Sequence, residues 1–143
     1  MKYVRLDKVK ATAHIESIVA TSDLLNGQFL ALGALQADGE ARLATPSGDT
    51  TKQLVLHVSV PLTYEERTNE LDFVLKAGKV GRGYVLETGD IISIDDAVLA
   101  VGDIVVPSAS GFVEGTPAGL HGEVIAVEMD AIVGRLAVIR VVA

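Results

Sequence analysis

Short runs of aliphatic residues recur along this chain, and Gly, Asp or Asn interrupts them at intervals of a few residues. The clearest run is residues 54–60, LVLHVSV, in which every second position is Leu or Val. A period of two gives a β-strand one apolar face, with His57 on the opposite and less buried face. Pro61 ends the run, because proline cannot donate a hydrogen bond to a strand ladder. The sequence therefore predicts an all-β fold, an antiparallel β-barrel or sandwich.

Nine further segments have a similar composition. We predict strands at residues 3–9, 14–21, 28–35, 41–45, 83–87, 90–94, 103–106, 123–129 and 135–142. The last of these is apolar on both faces apart from Arg140, so we expect it to be buried on both sides or against a neighbouring subunit. The turn signals Asn26-Gly27 and Asp38-Gly39 predict a meander over residues 14–45. A capping-box pattern predicts at most one short helix, over residues 63–71.

Glycine is concentrated in the second half of the chain. Ten of the 14 glycines lie from Gly78 onward, so we expect the tightly turned, barrel-like part at residues 78–142. Residues 78–84, GKVGRGY, contain the dinucleotide-binding glycine pattern in reversed order, and a strand rather than a helix is expected to follow. We therefore predict a turn here. Its basic side chains form a candidate partner-facing cluster: Lys76, Lys79 and Arg82.

The charge of the chain is unevenly distributed. The net charge is −7, yet residues 1–10 sum to +3. The negative balance argues against a general nucleic-acid binder, which needs clustered Lys and Arg. A basic end on an acidic body is either a solvated tail or an arm that docks on an acidic protein surface. We predict an extended arm at residues 1–12 and a single β-rich domain at residues 13–143.

Composition limits several other classes of protein. The chain has no cysteine, so disulfides and thiolate metal sites are excluded. No apolar run reaches the roughly 18–20 residues that a membrane span needs, and the basic N-terminus has no apolar stretch typical of a signal peptide. We expect no membrane association and no cofactor.

One phrase is repeated in the sequence. Gly89-Asp90-Ile91 returns as Gly102-Asp103-Ile104, and Asp95 and Asp96 lie between the two copies. Four carboxylates in a short segment could bind calcium, but their spacing matches no calcium loop. An Asp after Gly at the start of an aliphatic run is typical of a turn that leads into a strand. We predict two strand entrances here, and a calcium-dependent binding or hydrolytic module remains the alternative.

The histidines show no metal-binding spacing. His14, His57 and His121 are far apart in sequence, and no Gly-x-Ser-x-Gly nucleophile motif is present. A serine at residues 108–111 acting with His121 stays open as an alternative. We expect no catalytic residue and no metal site.

Two families share features with this chain. The Gly-Asp turns before short strands resemble those of lipoyl and biotinyl carrier domains, but no lysine follows Lys79 to carry such a cofactor. In layout the chain resembles the decoration, or cement, proteins of tailed bacteriophages. The features that carry this resemblance are the basic N-terminus, residues 26–35 (NGQFLALGAL) leading into Asp38-Gly39, and the glycine-rich second half.

The resemblance to decoration proteins implies a function. It implies a non-enzymatic virion protein that binds the major capsid protein at the outer capsid surface, as a homo-oligomer with a trimer favoured. Its arm would make the capsid contacts, and no nucleic acid would be bound. The candidate arm residues are Lys2, Tyr3, Arg5, Lys8 and Lys10.

Overall fold

The computed structural model of the protein describes residues 3–9, 14–37, 39–59 and 74–143. The strands of these residues are β1 Val4–Lys8, β2 Ile15–Ala20, β3 Leu24–Leu25, β4 Phe29–Leu35, β5 Arg42–Pro46, β6 Leu54–His57, β7 Val74–Leu75, β8 Val80–Tyr84, β9 Ile91–Asp95, β10 Ile104–Ser108, β11 Gly111–Glu114, β12 His121–Asp130 and β13 Gly134–Val142. Within the described ranges there is no helix, hence none that could cross a membrane. The predicted all-β fold is confirmed, while the helix predicted over residues 63–71 lies outside the described residues.

The strands form two layers. Five strands close into a barrel in the order β2-β5-β4-β6-β8, in which β2 and β5 are parallel and the other described pairs antiparallel. Six strands form an antiparallel open sheet in the order β1-β9-β13-β12-β10-β11. Strands β3 and β7 form a separate short pair. This is a two-layer β architecture built around buried faces of both layers.

The position of the barrel differs from the expectation. The barrel strands come from residues 15–84, and most of residues 78–142 form the open sheet, so the expected barrel at residues 78–142 is wrong. The meander predicted over residues 14–45 is also wrong, because β2 pairs with β5 and β8 rather than with β4. Turn signals act locally, whereas closure of a barrel depends on pairings between distant strands.

The glycine-rich segment is a strand. Residues 80–84 form β8, so the turn predicted for residues 78–84 is wrong apart from Gly78, which has a φ of 83°. A Cβ on Gly83 would lie 2.5 Å from Val55 Cγ2, and one on Gly81 would lie 2.5 Å from Leu75 Cδ2. Glycine is needed here because barrel side chains press against the backbone of β8, not because the chain turns.

The core has two parts. One cluster fills the barrel and includes Ile18, Leu30 and Val55, each at most 1% exposed. The other lies between the layers and joins barrel residues such as Leu56 to open-sheet residues such as Ile139. Strand β6 therefore buries both faces. β13 lies in the middle of the open sheet and is buried as predicted from its composition, with Arg140 exposed.

The N-terminal segment lies in the sheet. β1 is an edge strand paired with β9, from Val4 opposite Ile94 to Lys8 opposite Ile91. Its apolar side chains, including Val4 and Leu6, pack against the core between the layers. Residues 3–9 of the segment that the sequence assigns to an arm thus belong to the body of the fold, and the outer edge of β1 has no strand partner among the described residues.

Candidate functional site

The two Gly-Asp-Ile copies form the same turn. The N–H of Asp90 donates to the carbonyl of Glu87, and that of Asp103 to the carbonyl of Ala100, both at 3.1 Å. In return, Asp90 Oδ2 accepts the N–H of Glu87, and Asp103 Oδ2 accepts the N–H of Ala100, both at 2.9 Å. The glycine before each Asp has a φ of 96° or 95°, a conformation that glycine adopts without strain. Each carboxylate therefore caps a turn.

The two turns also join the sheet in the same way. Gly89 N–H donates to Val141 O at 2.9 Å, and Val141 N–H donates to Asp90 O at 2.8 Å. The equivalent bonds join the second turn to Val124, at 2.8 and 3.0 Å. β9 and β10 begin at the residue after each Asp. The prediction of two strand entrances is confirmed.

Asp95 and Asp96 have different partners. Asp95 Oδ1 accepts the N–H of Tyr3 at 2.7 Å, and Asp96 Oδ1 accepts the N–H groups of Val98 and Leu99 at 2.7 and 2.8 Å. No group of three or more His, Asp or Glu side chains that could hold a metal ion occurs in the part of the chain that the structure describes. The carboxylates proposed for calcium are thus each bonded to separate backbone N–H groups.

His57 and Ser59 form a buried pair. Ser59 Oγ lies 2.8 Å from His57 Nε2, and His57 Nδ1 lies 2.9 Å from the carbonyl oxygen of Leu25. A carbonyl can only accept, so Nδ1 carries the proton and Nε2 accepts from the Ser59 hydroxyl. That hydroxyl also accepts the N–H of Arg82 at 3.0 Å. The pair links β6 to its barrel neighbour β8.

The burial of His57 corrects the sequence prediction. The side chain is 0% exposed, although the pattern placed it on the less buried face. The prediction is wrong because β6 is a barrel strand, so its second face points into the barrel core. Burial lowers the pKa of His57, and the hydrogen bond to Leu25 opposes this shift only in part. A Ser–His pair resembles a nucleophile and its base, but here both side chains are enclosed and hydrogen-bonded to the fold.

The other two histidines lie elsewhere. His14 Nε2 lies 2.7 Å from Glu16 Oε1, and His121 Nδ1 lies 2.7 Å from the carbonyl oxygen of Gly119. Neither has a serine as a described hydrogen-bond partner. Ser108 Oγ instead donates to the carbonyl of Gly111 at 2.8 Å. The arrangement of a serine acting with His121 gains no support from these contacts.

An open groove of about 490 Å³ lies at one end of the barrel. Residues in or next to all five barrel strands line it: His14, Glu16, Leu32, Arg42, Gln53 and Val85. Barrel mouths are frequent ligand sites. Its charged groups are already engaged, since His14 pairs with Glu16 and Arg42 donates to the carbonyl of Gly33 at 3.2 Å.

The candidate arm residues have contrasting surroundings. Arg5 pairs with Asp7 at 2.5 Å and reaches Glu128 on β12 at 2.8 Å, and these carboxylates raise the pKa of Arg5, Asp7 most. Tyr3 is fixed at the backbone by Asp95, whereas Lys8 is exposed. Lys2 and Lys10 lie outside the described residues.

The candidate basic turn is only partly a turn. Lys76 and Lys79 flank it, with Lys79 N–H donating to Lys76 O at 3.1 Å, while Arg82 lies within β8. Lys76 also pairs with Asp23 at 3.3 Å. All three basic residues are exposed, and a partner-facing role for them stays a prediction.

Two other turns were not predicted from the sequence. Residues 96–99 (DAVL) and 130–133 (DAIV) share the pattern Asp-Ala followed by two aliphatic residues, and we refer to them as the Asp-Ala turns. In each, Asp Oδ1 accepts the N–H groups of the third and fourth residues, at 2.7 and 2.8 Å in the first turn and 2.8 and 2.9 Å in the second. These two bonds lower the pKa of Asp130. A comparison of short segments within the sequence could have found this repeat.

The Asp-Ala turns expose their third residue. Val98 is 82% exposed and Ile132 is 79% exposed, and nearby Met129 is 77% exposed. The turns are neighbours, because Asp96 N–H donates to Arg135 O at 3.2 Å and Arg135 follows the second turn in the β12–β13 hairpin. The most exposed large apolar side chains of the described residues therefore collect at one end of the open sheet.

No protein-family model matches the sequence, and no curated protein matches it.

Proposed function

We propose that this protein is a structural, non-enzymatic protein that binds and stabilises an assembled phage capsid, as decoration proteins do. The observation that carries the proposal is the apolar end of the open sheet, where Val98, Met129 and Ile132 are exposed on or beside hydrogen-bonded turns. Exposed large apolar side chains in a group are typical of protein–protein contact sites. The resemblance of the sequence to decoration proteins is the reason for choosing a capsid as the partner.

Preformed turns suit a protein that must bind a large assembly. A side chain on a turn held by two backbone hydrogen bonds loses little conformational freedom on binding, so less free energy is spent on ordering. A protein that binds only the assembled capsid also stabilises it by mass action. The partner is then the major capsid protein, the site the outer capsid surface, and the bound form a homo-oligomer, with a trimer favoured. The protein is made in the host cytoplasm and needs no cofactor, nucleic acid or membrane.

The N-terminal strand has a second role in this proposal. The outer edge of β1 can pair with a strand of the capsid protein, and Lys8 at its end adds an exposed positive charge. Deletion of residues 1–10 is a poor test, because Val4 and Leu6 pack in the core and their loss would weaken the fold. Substitution of Lys8 tests the strand edge without removing that packing.

The proposal is tested with capsids that lack the protein. Heads are purified from a deletion mutant of the phage that carries this coding sequence, mixed with the purified protein, and sedimented. We expect saturable co-sedimentation and a higher temperature of capsid disassembly, and Lys8→Glu should weaken binding more than Lys52→Glu on the barrel. Wild-type protein that stays in the supernatant at every concentration would refute the capsid role.

A further inference from the structure

An open cleft lies between the two Asp-Ala turns. Its volume is about 210 Å³, and it is lined by Asp95, Asp96, Ala97, Val133 and Arg135. Ala97 and Val133 each belong to one of the turns, and the residues beside them, Val98 and Ile132, are exposed. The cleft thus has acidic groups inside and an aliphatic side chain on each turn beside it.

The carboxylates of the cleft keep binding capacity. In the described residues, hydrogen bonds reach only the Oδ1 atoms of Asp95 and Asp96, and the second oxygen of each accepts none. Neither carboxylate forms a salt bridge with a described residue. Arg135 does not neutralise them at close range, because its guanidinium donates to the carbonyls of Asp96, at 3.3 Å, and Leu99. A cation entering the cleft would find two acceptors in place.

The charge around the cleft selects the partner. Arg5, the cation that acts on Asp130 of the second turn, is already paired with Asp7 and Glu128. A second copy of this chain has a net charge of −7, which opposes its approach to an acidic cleft. A basic side chain flanked by apolar residues is complementary both to the carboxylates and to the exposed Val98 and Ile132.

We propose that this cleft receives a Lys or Arg side chain of the capsid protein, while Val98 and Ile132 contact apolar residues on either side of it. The inference rests on the proposed function, since it names the surface and the chemistry by which the capsid is bound. It assigns a purpose to the Asp-Ala repeat: the same Asp that fixes the turn, Asp96, also faces the cleft.

The test uses two double variants and their matched controls. Asp95→Asn with Asp96→Asn keeps the Oδ1 acceptors but removes two charges; Asp49→Asn with Asp103→Asn makes the same change in charge at other turns that cap backbone N–H groups. Val98→Ser with Ile132→Ser removes the aliphatic contacts, and Leu35→Ser with Val80→Ser on the barrel, where both residues are 49% exposed, is its control. Thermal unfolding of each variant confirms that the fold is intact.

Binding to purified capsids at low and high salt separates the outcomes. We expect each test variant to bind about tenfold or more weakly than wild type, and the controls to bind like wild type. The Asp95/Asp96 variant loses a hydrogen bond to a charged group, and the Val98/Ile132 variant loses the burial of two aliphatic side chains. The Asp95/Asp96 variant should also lose most of the salt dependence of binding. If the wild-type protein binds capsids and both test variants bind equally well, the proposed role of the cleft is refuted but the capsid role is not. Absence of wild-type binding would overturn both.

Discussion

Ser59→Ala removes a single oxygen from the barrel core, and we expect it to lower the free energy of unfolding by about 2–4 kcal/mol. Two groups lose their partners in this variant. His57 Nε2 loses the hydroxyl that lies 2.8 Å away, and the N–H of Arg82 loses its acceptor at 3.0 Å. A buried polar group left without a partner costs about 1–3 kcal/mol. The hydrogen bond from the Arg82 N–H is only partly buried, so we expect its loss to cost an amount near the lower end of this range.

The measurement is urea unfolding followed by far-UV circular dichroism, since the chain has no tryptophan to report by fluorescence. With a slope of about 1–3 kcal/mol per molar urea, the expected loss moves the midpoint by about 1 M or more. Ser22→Ala, at an exposed position, is the control and should change stability by less than about 0.5 kcal/mol. A Ser59→Ala midpoint as close to wild type as that of the control would show that the hydroxyl does not hold β6 to β8.

Three further predictions follow from single contacts. Gly83→Ala should cost about 1–3 kcal/mol in the same urea assay, because its Cβ would lie 2.5 Å from Val55 Cγ2; wild-type stability would contradict this packing. Burial lowers the pKa of His57, so the unfolded chain binds a proton there that the folded chain does not; stability should be complete above about pH 6.5 and fall below it, and His57→Leu should lack this part of the pH dependence. Asp90→Ala should lose about 1 kcal/mol through the uncapped N–H of Glu87, whereas Asp90→Asn, which keeps an acceptor, should lose less; equal losses would contradict the capping role.

Local chemistry was readable from the sequence where neighbours in the chain decide the structure. The Gly-Asp-Ile turns were predicted because the positive φ of the glycine and the capping by Asp involve residues at most three apart. The strand at β6 was predicted because the alternation of residues 54–60 shows its apolar face directly. Such features require no knowledge of the partner strand.

Features that depend on distant partners were missed. Nothing near Gly81 or Gly83 reveals that Leu75 and Val55 press on the backbone of β8, so a glycine-rich strand was interpreted as a turn. For the same reason the sequence pattern places His57 on the less buried face of the strand, since its burial comes from barrel closure. The two-residue strands β3 and β7 are too short to give a periodic pattern.

The two kinds of Asp turn differ in where they place aliphatic side chains. In the Gly-Asp-Ile turns the Asp lies at the end of the turn, and the strand that follows takes its aliphatic residues inward, so that Ile92 and Val105 are 0% exposed. In the Asp-Ala turns the Asp lies at the start, and the side chain two residues later, Val98 or Ile132, is exposed to solvent. Both turns satisfy their backbone equally well, so capping alone gives no reason to expose an aliphatic side chain. Because Ser or Thr at the third position would leave the Oδ1 hydrogen bonds intact, the exposed Val and Ile are better explained by binding than by folding.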